Sequence, residues 1–129
     1  MDRILIVDDE FLIRYTLEEG LKDRGYDAYS AATVEEGLEF VRKYHPGVLL
    51  LDNLLENSVG MDEIVNFKNA DEELQVIMMT AYGSVSQAVE ATKRGAYDYI
   101  LKPFDVDEID MLIKRCLEQK RNRDSLVFL

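Results

Sequence analysis

Acidic, hydroxyl and amine side chains directly follow four apolar runs in this chain of 129 residues. They are Asp8 and Asp9 after the first run, Asp52 after the second, Thr80 after the third and Lys102 after the fourth. Three carboxylates close together raise at least one pKa unless a cation neutralises them. Their oxygens favour a hard divalent ion, Mg²⁺ above Ca²⁺ if waters and phosphate oxygens complete an octahedron. With such an ion present, a carboxylate can attack phosphorus and become an aspartyl phosphate.

Each of these residues also has a simpler interpretation. Asp8 and Asp9 could cap a helix, because acidic residues favour helix N-termini, and Thr80 could be an ordinary strand-end residue. Lys102 can bind a phosphoryl oxygen as a point charge or form a salt bridge with a carboxylate. It can fill both roles, one before and one after phosphorylation. Pro103 allows a cis peptide after Lys102 that would turn the lysine inward. The combination of these residues favours the phosphoryl site.

The elements that must position these side chains alternate between strand and helix. Apolar runs predict strands at about 4–7, 26–31, 48–51, 74–79 and 97–101, with a helix after each one. Capping pairs predict three of the helix starts, at Thr33, Ser84 and Asp105. Such alternation indicates βαβ units and a parallel sheet. The carboxyl ends of parallel strands converge on one crevice where ligands bind, so we expect the polar residues to meet there.

Composition limits the class of protein. A hydrophobic fraction of 47% and a charged fraction of 32% are typical of one soluble globular domain. The net charge of −11 argues against direct nucleic-acid binding, which depends on basic residues that neutralise phosphates. The single Cys116 excludes an internal disulfide framework and favours a reducing compartment. There is no signal-peptide pattern and no apolar run near the roughly 20 residues of a membrane span, so we expect a cytoplasmic chain without membrane contact.

Four segments of the chain resemble one known family. ILIVDDE, VLLLDNLL, VIMMTAYGS and GAYDYILKPF resemble the receiver domain of bacterial two-component response regulators, and the last two are most similar to NtrC-like regulators. The resemblance covers residues 3–118 and implies an α/β, flavodoxin-like, doubly wound sheet of five parallel strands in the order 2-1-3-4-5, with five helices. We therefore expect a receiver domain at 1–118. Residues 119–129 would be a tail or the start of a linker, although their basic half could extend the last helix.

The resemblance also implies a role for each candidate residue. Asp52 would accept a phosphoryl group from a sensor histidine kinase, and Mg²⁺ would be held by Asp8, Asp9, Asp52 and the backbone carbonyl of Leu54. Thr80 and Lys102 would contact the phosphoryl group, and Tyr99 matches the aromatic switch of the family. The switch would reshape the face formed by the fourth helix, fifth strand and fifth helix. That face would then drive homodimerisation or control an effector domain or partner protein, while the domain catalyses only its own phosphorylation and dephosphorylation.

The chain departs from the family pattern in the loop after Asp52. The usual proline is missing, and Leu55-Glu56 stands in its place, which should make the 53–59 loop more mobile. Leu54 and Tyr82 occupy rim positions that overhang the phosphoryl group in this family. We hypothesise that their bulk keeps water from phosphorus and prolongs the phosphorylated state.

Two other functions fit part of the pattern. One is a phosphohydrolase with an aspartyl intermediate, but such enzymes generally carry a second Asp two residues after the nucleophile, and Leu54 occupies that position here. The other is a receiver that binds partners without being phosphorylated, which the full set of acidic residues, Thr80 and Lys102 disfavours.

Overall fold

Five strands alternate with five helices in the computed structural model of the protein, which describes residues 2–55, 58–81 and 84–127, with side chains through residue 123. The strands are β1 (Arg3–Val7), β2 (Asp27–Ala31), β3 (Val48–Asp52), β4 (Gln75–Thr80) and β5 (Asp98–Leu101). The helices are α1 (Phe11–Asp23), α2 (Val34–Tyr44), α3 (Gly60–Ala70), α4 (Val85–Lys93) and α5 (Val106–Val127). The predicted alternation is therefore confirmed.

All five strands form one parallel sheet in the order β2-β1-β3-β4-β5, as predicted. The central strand, β3, is buried along its whole length, as expected for a strand covered by helices on both faces. The sequence predicts that the fourth strand ends at residue 79, but the structure includes Thr80. The reason is that the carbonyl oxygen of Thr80 accepts a hydrogen bond from the amide of Lys102 at 2.7 Å.

Two apolar layers cover the sheet, one on each face. One layer includes Ile4, Ile6, Leu17, Leu21, Ile109 and Ile113, which join β1 to α1 and α5. The other includes Leu5, Val7, Val41, Ile64, Phe67 and Ala91, which join β1 to α2, α3 and α4. Alternate residues of β1 thus face opposite layers, as the period of a strand requires. This packing fixes the strand ends that carry the candidate site.

Three helices begin at the caps predicted from the sequence. The hydroxyl of Thr33 accepts from the amide of Glu36 at 3.2 Å, and the hydroxyl of Ser84 accepts from the amide of Gln87 at 3.2 Å. A carboxylate oxygen of Asp105 accepts from the amide of Glu108 at 2.9 Å. These bonds satisfy amides that have no partner within the first turn of a helix.

Helix α5 continues to Val127 without a break at the boundary expected at residue 118. Its distal half lies against the turn before β4, where Lys120 Nζ donates to the carbonyl oxygen of Glu73 at 3.1 Å. A nitrogen of Arg123 also lies 3.6 Å from a carboxylate oxygen of Glu73. These contacts explain how the basic residues after 118 extend the helix. None of the helices in the described ranges combines the length and apolar character needed to cross a membrane.

Candidate functional site

Three carboxylates meet at the carboxyl edge of the sheet. One oxygen from each of Asp8, Asp9 and Asp52 lies within 4.8 Å of the other two. Asp8 and Asp52 are 0% and 3% exposed, whereas Asp9 is half-buried and open to solvent. An all-oxygen donor set with one open side suits a hard divalent cation that keeps some of its waters. The chemistry of these residues therefore fits Mg²⁺.

Lys102 completes this acidic pocket from the end of β5. Its Nζ lies 3.3 Å from Asp8 Oδ2 and 3.1 Å from Asp52 Oδ1, and the side chain is half-buried. The peptide bond between Lys102 and Pro103 is cis. The structure thus brings together Asp8, Asp9, Asp52 and Lys102, which are separated by up to 94 positions in the sequence.

The electrostatics of the pocket show an excess of negative charge. Burial and the neighbouring charge of Asp8 raise the pKa of Asp52, although Lys102 and the backbone amide of Leu54 act in the opposite direction. Burial alone would lower the pKa of Lys102, but the hydrogen bond to Asp52 and the charge of Asp8 outweigh it, so this pKa is raised. One ammonium is therefore insufficient for these carboxylates, and a divalent cation would lower the pKa of Asp52.

Backbone and side-chain hydrogen bonds hold Asp8 in place. Its amide donates to the carbonyl oxygen of Ala31 at 3.2 Å, and its Oδ1 accepts from the amide of Glu10 at 2.9 Å. Arg14 Nη1 donates to the Asp8 carbonyl oxygen at 2.8 Å. Sequence reasoning missed Arg14, because its partner is a backbone oxygen whose position no residue pattern specifies.

Asn53 braces the loop after β3. Its amide donates to the carbonyl oxygen of Met79 at 2.9 Å, its carbonyl oxygen accepts from the amide of Gly60 at 2.7 Å, and its Oδ1 accepts from the amide of Met61 at 3.0 Å. These bonds tie the first residue of the loop to the first turn of α3. Asn53 was also missed, because an Asn that follows a strand-end aspartate has no strong signal in one sequence.

Leu54 lies at the rim of the pocket, where its side chain is 55% exposed. Its backbone amide bonds the Asp52 carboxylate, and Leu54 forms an isolated bridge with Val59 across the loop. The other predicted rim residue, Tyr82, lies outside the described residues.

The two candidate switch residues face a small cavity beside α4. Thr80 is buried at the end of β4, and Tyr99 is half-buried one strand away in β5. The cavity is lined by Asn53, Met61, Met78, Thr80, Gln87, Ala91 and Tyr99. Its volume of about 10 Å³ is at the lower limit for a single water. An aromatic ring could therefore enter it only if one of the walls moved.

Helix α4 forms one of those walls and is held mainly at its C-terminal end. Ala91 is its one fully buried residue among those described. Just beyond the helix, the Arg94 guanidinium bonds Asp62 at 2.8 Å and Glu90 at 2.9 Å. The exposed first turns of α4 therefore have fewer anchors than its end.

An apolar groove of about 430 Å³ lies beside Lys102, between α1 and the segment that joins β5 to α5. Its walls include Leu12, Ile13 and Leu17 on one side and Pro103, Phe104 and Val106 on the other. Phe11, Leu12 and Tyr15 are also exposed along α1. The pocket is thus bordered by apolar surface that could contact another molecule.

Comparisons with known proteins identify what this chain is similar to. Residues 4–114 match the family described as response regulator receiver domain. The sporulation initiation phosphotransferase F of Bacillus subtilis is 38% identical over 94% of this chain and 98% of its own length. The nitrogen assimilation regulatory protein NtrX of Azorhizobium caulinodans is 37% identical over 93% of this chain, but the chain spans only 27% of it.

A solved structure shows the same arrangement in three dimensions. The beryllofluoride-activated NtrC4 receiver domain dimer, determined in solution, superposes with a TM-score of 0.87 at 34% identity. The match covers 93% of this chain and 99% of that one.

Proposed function

This chain belongs to the response regulator receiver domain family, a class of signalling domain, and we propose that Asp52 is the residue through which it is switched by phosphorylation. The observation that supports this role most directly is the position of the Asp52 carboxylate. It is 3% exposed, lies within 4.8 Å of Asp8 and Asp9, and is contacted by Lys102. A nucleophilic carboxylate beside a cation site and a lysine ammonium is suited to phosphoryl transfer.

The proposed reaction moves a phosphoryl group from a sensor histidine kinase to Asp52. An oxygen of Asp52 attacks phosphorus and the phosphorus–nitrogen bond of the phosphohistidine breaks. The ring, protonated on its other nitrogen, leaves as neutral imidazole with the bonding electron pair. Asp8, Asp9 and Asp52, with the Leu54 carbonyl as a further ligand, would hold Mg²⁺, which would supply positive charge that stabilises the phosphoryl oxygens. The domain would catalyse only this transfer to itself and the later hydrolysis.

Lys102 and Thr80 would respond to the new group. A phosphoryl group adds roughly two negative charges, so Lys102 would exchange its contact with Asp52 Oδ1 for a phosphoryl oxygen. The Thr80 hydroxyl would donate to another. Charge-assisted hydrogen bonds contribute about 1.5–3 kcal/mol each. Two of them approach the roughly 5.5 kcal/mol needed to shift a two-state equilibrium from 1% to 99%.

Tyr99 would link the movement of Thr80 to a change in the face formed by α4, β5 and α5. It faces the same small cavity as Thr80, so a displacement of Thr80 alters the space available to the ring. Because the cavity is too small for the ring, inward rotation of Tyr99 would require α4 to move. The face formed by α4, β5 and α5 would change with it.

We assign docking of the kinase to the groove between α1 and the segment after β5. The groove opens beside Lys102, so a partner seated there would reach Asp52 with its phosphohistidine. Exposed apolar residues at its edge, Phe11 and Leu12, would pack against the apolar side of a partner helix. Contiguous exposed apolar surface next to a reactive group is typical of a protein-binding site.

We assign the output to the face of α4, β5 and α5. Val85, Val89, Leu101 and Met111 expose apolar side chains on these three elements. The similar NtrC4 receiver domain was determined as a dimer in its activated state, which supports homodimerisation as the output. An effector domain or partner protein could bind the same face instead.

One experiment tests the proposed function against its alternatives. The protein is incubated with Mg²⁺ and acetyl phosphate, and the intact mass is measured beside that of Asp52→Asn. A gain of one phosphoryl group that the substitution abolishes supports the proposal. Release of phosphate in large excess over protein would instead indicate a phosphohydrolase, and the absence of an adduct would indicate a receiver that works without phosphorylation.

A further inference from the structure

Arg14 contacts the acidic pocket from α1. It is the fourth residue of that helix, and its half-buried guanidinium donates from Nη1 to the carbonyl oxygen of Asp8 at 2.8 Å. The guanidinium also lies 5.8 Å from the centroid of the Phe11 ring, within range of a cation–π interaction. Two contacts therefore hold this cation at the start of the loop that carries Asp8 and Asp9.

Few other bonds fix that loop. In the described part of the chain, the side chain of the N-cap residue, Glu10, makes no capping hydrogen bond to α1. The loop is held by the amide of Glu10, which donates to Asp8 Oδ1, and by the bond from Arg14. The amide of Asp8 also donates to the carbonyl oxygen of Ala31, and Lys102 contacts Asp8 Oδ2. The bond from Glu10 uses a carboxylate oxygen that a metal ion would compete for. The bond from Arg14 holds the backbone and leaves both carboxylates available.

We propose that Arg14 is a positioning residue for the metal site: it fixes the Asp8 carbonyl and thereby the directions of the Asp8 and Asp9 carboxylates. The inference rests on the proposed magnesium-dependent function. Hydrogen-bond partners of this kind, outside the ligands themselves, commonly change metal affinity by 10–100-fold. Arg14 touches no reacting atom.

An electrostatic role and a positioning role for Arg14 predict opposite changes in Mg²⁺ affinity. As a cation near the pocket, Arg14 repels Mg²⁺, so a purely electrostatic role means that Arg14→Ala binds Mg²⁺ more tightly. A positioning role means that the same variant binds Mg²⁺ more weakly. The sign of the change therefore separates the two roles.

Arg3 provides a matched control at the other end of β1. Its Nη1 donates to the carbonyl oxygen of Tyr44 at 2.7 Å, and its guanidinium lies 5.9 Å from the Tyr44 ring centroid. Arg3→Ala thus removes the same charge and the same two kinds of contact, together with an ion pair to Asp27 at 3.6 Å, far from the pocket along the strand.

The test is a calorimetric titration of Mg²⁺ into the wild type, Arg14→Ala, Arg14→Lys and Arg3→Ala. We expect a roughly tenfold weaker affinity for Arg14→Ala, an intermediate value for Arg14→Lys, which keeps the charge and a donor, and no change for Arg3→Ala. The melting temperature without Mg²⁺ shows that each variant is folded. Equal or tighter binding by Arg14→Ala overturns the inference.

A second measurement excludes a general structural defect. The rate of phosphorylation by acetyl phosphate is followed as Mg²⁺ increases. For Arg14→Ala we expect a higher half-saturating concentration but the same maximal rate, whereas a lower maximal rate at an unchanged half-saturating concentration contradicts a positioning role. If the wild type itself binds no Mg²⁺, the proposed function fails. If the wild type binds Mg²⁺ and Arg14→Ala matches it, only this inference fails.

Discussion

The α-carbon of Gly60 packs against the carbonyl oxygen of Asp52 so closely that a β-carbon would overlap that oxygen. The amide of Gly60 also donates to the carbonyl oxygen of Asn53 at 2.7 Å. The start of α3 therefore lies directly on the backbone of the proposed phosphoacceptor. Glycine is required here for close approach, because a β-carbon would overlap the Asp52 carbonyl oxygen and force one of the two backbone segments to shift.

Gly60→Ala should destabilise the protein by about 2–3 kcal/mol, the usual cost of forcing an extra methyl group into a packed site. The free energy of unfolding is measured by urea denaturation. Gly47→Ala is the matched control, since its β-carbon would meet its nearest atom at an ordinary 3.6 Å, and it should change stability by less than about 0.5 kcal/mol. Equal effects of the two substitutions would contradict the close packing of Gly60.

Lys102→Met should destabilise the protein without divalent cations by about 3 kcal/mol, because two buried carboxylates lose their ammonium partner. Denaturation at pH 7 measures the loss, and added Mg²⁺ should recover part of it. Lys22→Met removes a charge from the last turn of α1, away from the pocket, and should cost less than about 1 kcal/mol. A Lys102 variant as stable as the Lys22 variant would show that the pair contributes little.

Asp52→Asn should stabilise the metal-free protein at pH 7. The pKa of Asp52 is raised in the folded state. Asp52 therefore contributes fully to the free energy of unfolding below its pKa in the unfolded chain, about 3.9. That contribution is lost as pH rises through its pKa in the folded state. We expect a melting temperature higher by roughly 3 °C, as about 1 kcal/mol would produce. The advantage should shrink as pH falls toward 4 and when Mg²⁺ is added. An advantage that grows with acidity would show that the direction of the shift is wrong.

Val89→Glu should weaken dimerisation in the presence of beryllofluoride and Mg²⁺ at least tenfold, or about 1.4 kcal/mol. In a two-fold symmetric dimer both subunits carry the substitution, so two glutamate charges enter the interface. Sedimentation measures the association, and the mass gain from acetyl phosphate should be unchanged. Val65→Glu is the control, because Val65 on α3 is 53% exposed and Val89 on α4 is 48% exposed. If both variants dimerise like the wild type, the face of α4, β5 and α5 is not the interface.

Leu54→Asn should shorten the lifetime of the phosphorylated protein several-fold, because a smaller polar side chain at the rim admits and can orient a water. The measurement is the loss of the phosphoryl mass after removal of the donor. Leu12→Asn changes another exposed leucine, on α1, and should leave the lifetime unaltered. An unchanged lifetime in Leu54→Asn and in its combination with Tyr82→Glu would refute the hypothesis that the rim excludes water.

The sequence was most informative where the pattern was repetitive and local. The apolar runs at about 4–7 and 48–51 predicted strands, and the structure confirms both as β1 and β3. Since parallel strands place their carboxyl ends at one edge, the strand order predicts that Asp8, Asp52 and Lys102 lie at the same edge of the sheet.

Contacts that depend on the path of a loop could not be predicted in this way. The bonds from Arg14 to the Asp8 carbonyl and from Asn53 to the start of α3 join side chains to backbone atoms whose positions no periodicity specifies. The extent of α5 was also unclear from sequence, because Lys120 meets Glu73, which is 47 positions away. Long-range polar contacts of this kind appear only once the chain is folded.

Helix α4 is anchored by buried Ala91 and by the Arg94 contacts at its C-terminal end. It is therefore fixed at one end only. An element with so little buried area opens locally at a small fraction of the global unfolding free energy. We expect its first turns to move more readily than β3 and the rest of the sheet. If low local stability is confined to α4, one phosphoryl group can change the face of α4, β5 and α5 without lowering the stability of the rest of the domain.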